Sequence, residues 1–209
     1  MKISILLYDN VTALDAIGPY EVLHLMPDAQ VRFVATSVGP IKTDAGLAML
    51  NADTALADAT DSDIILIPGT PDPSQVMGDE AVLDWVRSSH ETTKWTTSVC
   101  TGAVVLGAAG LLQGLEATTH WLGLELLRNF GATPVTQRVV EQGKIMMAAG
   151  VSAGIDMALT LAAKEFGDEV AQSIQLIIEY DPQPPFSAGS PDKAPAAITQ
   201  RIREQYSIG

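Results

Sequence analysis

The chain has 209 residues, of which 47% are hydrophobic and 18% are charged, and its formal net charge is −13. This length allows one sizeable core, and the composition excludes a disordered chain. The negative charge argues against nucleic acid and anionic membrane surfaces as partners. No apolar run approaches the ~18 residues of a membrane span, and the first run ends at Asp9, too early for a signal peptide. Cys100 is the only cysteine, so no internal disulfide can form. We expect a single cytoplasmic domain spanning 1–209.

The first half of the chain alternates between strand-like and helix-like patterns. ISILLY (3–8) is a continuous apolar run, which is typical of a strand buried on both faces. Gly18-Pro19 predicts the start of a helix, because the missing N–H of proline costs nothing at the first helical position. Further strands are predicted at 31–39, 63–69 and 94–99, and further helices at 79–90 and 101–110.

The second half begins with an amphipathic helix predicted over 119–131 and ended by Gly131. TQRVVEQGKIMMAAG (136–150) predicts a hairpin that turns at Gln142-Gly143, and two helical patterns follow it. Beyond Tyr180 the sequence becomes rich in Pro, Gly and Ser, which excludes regular helix or strand. A last helical pattern, AITQRIREQY, favours an ordered tail over about 181–197 rather than a loose one.

This alternation predicts an α/β fold, with a doubly wound, mostly parallel sheet between two layers of helices. In such sheets ligands bind beyond the carboxyl ends of the strands. Two predicted strand ends are therefore of interest, Pro68-Gly69 and Val99-Cys100.

Cys100 lies between a predicted strand and a predicted helix, with Gly102 two residues later. This is the spacing of a nucleophile elbow, in which a sharp turn exposes the nucleophile at the sheet edge. A helix beginning at Thr101 would direct N–H groups at the sulfur and lower the pKa of the thiol. The alternative is that Cys100 is an inert packing residue, as single buried cysteines usually are.

A cysteine nucleophile needs a group that handles protons. Thr101 directly follows Cys100, so no adjacent Cys-His pair exists, and His120 is the nearest histidine that follows Cys100 in the sequence. Asp15 lies in TALDAIGP among apolar neighbours, just past the first strand. It either stabilises the helix N-terminus or is a carboxyl group kept protonated beside a thiolate. In the second case it would act first as an acid and then as a base.

Several motifs together resemble those of one known group. They are LDAIGP, IPG, SVCTG, GAAGLLQG, ATTHW, VSAGIDMALTLAA and EYDPQPPFSAGSPDKAP. This set is similar to the ThiJ/PfpI group of the class I glutamine amidotransferase-like superfamily, which implies a flavodoxin-like fold. The Pro-rich segment is the most discriminating and resembles the isocyanide hydratases of that group. The resemblance covers nearly the whole chain.

The resemblance implies that Cys100 is the nucleophile, that Asp15 is its acid partner, and that Thr101 contacts the active site. Thr101 occupies the position where the proteolytic branch has His, which argues against peptidase chemistry. Other branches carry a glutamate in the early helix, but Glu21 is not chosen here because Asp15 matches the hydratases.

The implied reaction is hydration of an isocyanide to an N-substituted formamide, by covalent cysteine catalysis through a thioimidate. No metal or organic cofactor is implied, and relatives in the group lead us to expect a homodimer. Candidate substrate-binding residues are Gly69, Thr70, Ile17, Trp121 and Val151, although core packing also accounts for the last three. The family's usual PGG reads Pro68-Gly69-Thr70 here, which is a departure in the loop conformation.

Two other functions share these motifs. Related domains occur at the front of AraC-type regulators, but only about 30 residues follow Tyr180, too few for a helix-turn-helix pair. A stand-alone sensing domain remains an alternative. The third alternative is a redox sensor or a glyoxal-detoxifying enzyme that uses the same cysteine.

Overall fold

The computed structural model describes residues 1–46 and 49–206. The strands are β1 (Lys2–Leu6), β2 (Gln30–Ala35), β3 (Gly39–Lys42), β4 (Met49–Ala52), β5 (Thr54–Ala55), β6 (Ile64–Ile67), β7 (Trp95–Val99), β8 (Glu116–Ala117), β9 (Thr133–Pro134), β10 (Val139–Gln142) and β11 (Ile145–Ala148). The helices are α1 (Ala13–Leu23), α2 (Ser74–Met77), α3 (Glu80–Thr92), α4 (Gly102–Ala108), α5 (Ala153–Phe166), α6 (Asp168–Ile177) and α7 (Ala196–Gln205), with 3-10 segments at Leu56–Asp58 and Trp121–Phe130.

The central sheet has seven strands in the order β10-β11-β7-β6-β1-β2-β5. All neighbours in it are parallel except β10, which pairs antiparallel with β11. The chain runs outward from β1 to β2 and β5, then crosses to the other side of β1 with β6. The topological switch point, where such sheets bind ligands, therefore lies between β1 and β6. The predicted doubly wound, mostly parallel α/β fold is confirmed.

Two apolar cores cover the two faces of the sheet. Strand β6 shows why its sequence is continuously apolar: Ile64 and Leu66 belong to one core, and Ile65 and Ile67 to the other. Successive side chains of a strand point to opposite faces, so a strand covered on both sides needs apolar residues at every position. Helices α1, α5 and α6 cover one face, and α3 and α4 cover the other.

The predicted helix start at Gly18-Pro19 is wrong, because α1 begins at Ala13 and Pro19 lies inside it. A proline inside a helix removes one backbone hydrogen bond and usually breaks the helix. Here α1 packs closely on α5, where a Cβ at Gly154 would lie 2.9 Å from Cγ of Pro19. Packing against α5 therefore overrides the local preference, and it places Asp15 within the first turn of the helix.

The other predicted elements are found with small differences. The segment predicted as a helix over 119–131 is a 3-10 helix at Trp121–Phe130, and Gly131 ends it in the left-handed conformation, with φ of 71°. The hairpin and the last helix are present as β10–β11 and α7. Residues 181–195 form no helix or strand and are mostly exposed, so the ordered tail stays a prediction. Within residues 1–46 and 49–206, every helix is too short or too polar to reach across a bilayer.

Candidate active site

The elbow predicted around Cys100 is present in the backbone. Strand β7 ends at Val99 and α4 begins at Gly102, and Cys100 between them has a φ of 57°. A residue with a side chain rarely adopts this left-handed conformation, so other contacts must hold it. Its N–H donates to the carbonyl of Ala149 at 2.9 Å, and its carbonyl accepts from Oγ1 of Thr119 at 2.7 Å. The strained turn is thus fixed from both sides.

Two glycines allow the ends of β6 and β7 to touch. A Cβ at Gly102 would lie 1.9 Å from the carbonyl oxygen of Ile67. A Cβ at Gly69 would lie 2.5 Å from the backbone N of Thr101 and 2.8 Å from Cβ of Cys100. Any side chain at either position would push the loop after β6 away from the elbow, so both positions require glycine for close backbone approach.

The side chain of Thr101 ties that loop to the elbow. Its Oγ1 donates to the carbonyl of Thr70 at 2.6 Å and accepts from the N–H of Thr70 at 2.8 Å. The loop that departs from the PGG pattern at Thr70 is therefore held through its backbone. In the described part of the chain, the buried Oγ1 of Thr70 has no hydrogen-bond partner.

Asp15, in the first turn of α1, lies against the elbow that carries Cys100. It is fully buried, and its Oδ2 accepts a hydrogen bond from the N–H of Gly69 at 2.9 Å. Its carboxyl group also shares a hydrogen bond with the thiol of Cys100. The other oxygen, Oδ1, is buried and finds no partner among the described residues. The structure therefore brings Cys100 and Asp15 together and leaves one carboxyl oxygen unused.

Burial controls the proton affinity of Asp15. It raises the pKa of the carboxyl group from 3.8 to about 7, and the negative charge of Asp44 acts in the same direction. The hydrogen bonds from Gly69 and Cys100 offset part of this rise. An apolar environment disfavours the ionised carboxylate, so the group gains or loses its proton near neutral pH.

The thiol behaves differently from the sequence-based expectation of a lowered pKa. Burial raises the pKa of Cys100, and the negative charge of Asp15 raises it further. The N–H groups of Thr101 and Val151 act against this rise but do not reverse it. The side chain is only 6% exposed, so loss of hydration outweighs the few N–H groups of the helix start. The two buried groups consequently titrate as a pair, which loses the first of its two protons near pH 7 and keeps the second above it.

The remaining candidate residues are placed in different surroundings. The N–H of Val151 reaches the thiol, and Val151 has a φ of 24°. Ile17 lines an apolar groove of about 500 Å³ formed by α1, α5 and the residues at the end of α6. Trp121 begins the 3-10 helix, and the guanidinium carbon of Arg203 lies 5.5 Å from its ring centroid. The structure thus brings Val151 to the thiol, places Ile17 in a separate groove, and puts Trp121 under α7.

One residue at the site was missed by the sequence reasoning. The hydroxyl of Tyr8 donates to the carbonyl of Pro68 at 2.6 Å. The pKa of Tyr8 is raised by burial, and then by the charges of Asp15 and Cys100. A signal was available, because Tyr8 ends the apolar run of the first strand and so had to lie at the carboxyl edge of the sheet. Across residues 1–46 and 49–206, no three His, Cys, Asp or Glu side chains are grouped as metal ligands would be.

Comparison with known proteins agrees with this geometry. The model of the DJ-1/PfpI family matches residues 1–164. The chain is 45% identical over 205 residues to the isonitrile hydratase of Pseudomonas putida, covering 98% of this chain and 90% of that protein.

Two further matches broaden the comparison. A crystal structure of a ThiJ/PfpI family protein from Pseudomonas syringae superposes with a TM-score of 0.93 at 34% identity, covering 99% of this chain and 87% of that one. The HTH-type transcriptional regulator CdhR of Pseudomonas aeruginosa is 30% identical over 138 residues, which are 65% of this chain and 40% of the regulator. From the family match, the near full-length similarity and the shared fold, this chain belongs to the DJ-1/PfpI family.

Proposed function

We propose that this protein hydrates isocyanides, R–N≡C, to N-substituted formamides. The observation that carries the proposal is the burial of Cys100 and Asp15 against each other, with Oδ1 of Asp15 lacking a hydrogen-bond partner among residues 1–46 and 49–206. The similarity to an isonitrile hydratase over nearly the full length of both chains supports it.

The first step uses the sulfur and the shared proton together. The sulfur of Cys100 attacks the terminal carbon of the isocyanide and forms an S–C bond. One π pair of the C≡N bond moves to the nitrogen, and the lone pair that remains on the carbon takes the proton, which Asp15 delivers. The product is a thioimidate, Cys–S–CH=N–R. An isocyanide carbon accepts a nucleophile and then needs a proton at the same atom, and the hydrogen-bonded pair places both groups at one point.

The second step uses Asp15 as a base. Its carboxylate removes a proton from water, the water oxygen adds to the thioimidate carbon, and the nitrogen receives that proton. The tetrahedral adduct then collapses: the C–S bond breaks, the formamide R–NH–CHO leaves, and the hydroxyl proton returns to the pair. A carboxyl group with a pKa of about 7 can give and take a proton near neutral pH, as both steps require.

The same geometry disfavours the redox alternative. Oxidation of a cysteine follows its thiolate character and its exposure. Cys100 is 6% exposed and its thiol pKa is raised, so it lacks both properties of an oxidant-sensing thiol. We therefore rank hydration above redox sensing, glyoxal detoxification and non-enzymatic sensing.

Turnover of para-nitrophenyl isocyanide, followed by absorbance and by detection of the formamide, tests the proposal. Wild type should form the formamide, whereas Cys100→Ala and Asp15→Asn should lose about 100-fold or more of the rate. Glu21→Gln is the matched control, because Glu21 is an exposed carboxylate on the same helix as Asp15. The proposal fails if wild type is inert, or if Cys100→Ala turns over at the wild-type rate. Sedimentation velocity on the same samples would test the expected homodimer.

A further inference from the structure

A single peptide unit connects Tyr8 to Asp15. The carbonyl of the Pro68–Gly69 peptide accepts from the hydroxyl of Tyr8 at 2.6 Å, and the N–H of the same peptide donates to Oδ2 of Asp15 at 2.9 Å. The C=O and N–H of a trans peptide point in opposite directions, so the tyrosine and the carboxyl group hold it from opposite ends.

This peptide also lies directly against the elbow. A Cβ at Gly69 would lie 2.8 Å from Cβ of Cys100, so the plane of the peptide fixes where its N–H points relative to the thiol. The next peptides of the loop have their own anchors, since Thr12 N–H donates to the carbonyl of Gly69 at 2.9 Å and Thr101 binds the backbone of Thr70. Within residues 1–46 and 49–206, the carbonyl of Pro68 is held by the hydroxyl of Tyr8.

We propose that Tyr8 is a positioning residue for the Cys100–Asp15 pair, acting through the Pro68–Gly69 peptide. This role belongs to the proposed hydration reaction, and its expected effect on kcat rests on that proposal. Hydrogen bonds in a chain polarise one another, so donation by the hydroxyl to the carbonyl strengthens donation by the N–H to the carboxylate. Tyr8 therefore holds the orientation of Asp15 and stabilises its ionised form from one peptide away.

Tyr8 does not itself exchange protons in this scheme. Burial and the nearby negative charges raise its pKa, so the hydroxyl keeps its proton and acts as a donor. The bond from Gly69 lowers the pKa of Asp15, so weakening that bond must raise it. Removing the hydroxyl of Tyr8 should consequently move ionisation of the pair to higher pH.

The test compares Tyr8→Phe with wild type by two measurements. The first is the rate of Cys100 alkylation by iodoacetamide against pH, which reads the pair without any turnover. The second is the pH profile of kcat with para-nitrophenyl isocyanide. We expect the acidic limb of both profiles to move to higher pH, and kcat at pH 7 to fall about tenfold with a smaller change in KM, the effect of one hydrogen bond.

Tyr20→Phe is the matched control, because Tyr20 lies on α1 with Asp15 and its ring stacks on His24. It should leave both profiles unchanged. Replacing Tyr8 with 3-fluorotyrosine keeps the ring and makes the hydroxyl a stronger donor, so both profiles should move to lower pH. This second variant decides the question if Tyr8→Phe proves unfolded in a melting experiment.

Three results would overturn the proposal. They are an unmoved alkylation profile in Tyr8→Phe, an equal shift in Tyr20→Phe, and a fall in kcat with no shift in either profile, which would mean that Tyr8 contacts the substrate instead. An alkylation profile that shifts in a protein inert towards isocyanides would support the positioning role and reject the hydratase function, so the two failures are distinguishable.

Discussion

Replacing Asp15 by Asn should stabilise the folded protein at neutral pH while removing its activity. The carboxyl group is fully buried, and its pKa rises from 3.8 to about 7 on folding. This is a rise of about three pH units, and each unit corresponds to ~1.36 kcal/mol, so the ionised group opposes folding by at most about 4 kcal/mol. Asparagine has a similar shape and carries no charge, so the variant does not bear this cost.

Because folding raises the pKa of Asp15, the loss of stability is confined to a definite pH range. Below pH 3.8 the carboxyl group is protonated in both states and contributes nothing. Between 3.8 and about 7 the unfolded state is ionised while the folded state keeps its proton, so wild type loses stability as pH rises. Above about 7 the full cost is present. The advantage of the variant should therefore grow between about pH 4 and pH 7 and then level off.

Urea denaturation of wild type and Asp15→Asn at several pH values measures this pH-dependent difference in stability. The quantity to compare is the difference in free energy of unfolding between variant and wild type at pH 8, minus the same difference at pH 4. This subtraction removes any constant cost of burying the amide. Glu21→Gln, an exposed carboxylate on the same helix, should give a value near zero. An advantage that stays flat or shrinks as pH rises would refute the assigned burial of the carboxyl charge.

Three other substitutions test contacts around the elbow and the last helix. Gly69→Ala introduces a Cβ 2.5 Å from the backbone N of Thr101, and we expect kcat/KM to fall about 100-fold. In the control Gly189→Ala the new Cβ meets nothing within 4 Å, so kcat/KM should not change. Thr101→Val should lower the free energy of unfolding in urea by about 1–3 kcal/mol, because it leaves the buried N–H and carbonyl of Thr70 without their partner. Thr101→Ser keeps the hydroxyl and should retain most of that free energy, so equal losses in the two variants would contradict the role of the hydroxyl. Arg203→Ala should remove about 0.5–1 kcal/mol of cation–π attraction to Trp121 and speed amide hydrogen exchange in α7. Unchanged exchange in the variant would show that this contact does not hold α7 in place.

Local patterns were reliable where local backbone geometry decides the outcome. The alternation of strand and helix patterns identified the parallel sheet, and the β-branched run before Cys100 with Gly102 after it identified the elbow. They failed at Pro19, where a local preference for a helix start lost to packing of α1 on α5. The choice of Asp15 as partner of Cys100 came from the family resemblance, because nothing in the spacing of the two residues joins them.

The sequence by itself determined the fold class, the edge of the sheet where ligands bind, and the turn that carries the only cysteine. The tertiary structure decided the protonation of the site: it buried Cys100 and Asp15 against each other, so the thiol pKa is raised where the helix start alone predicted a lowered one. It also placed Tyr8 and Asp15 on one peptide. Proton affinity depends on lost hydration and on nearby charges, and those are set by residues that are distant in the sequence and meet only in the folded chain.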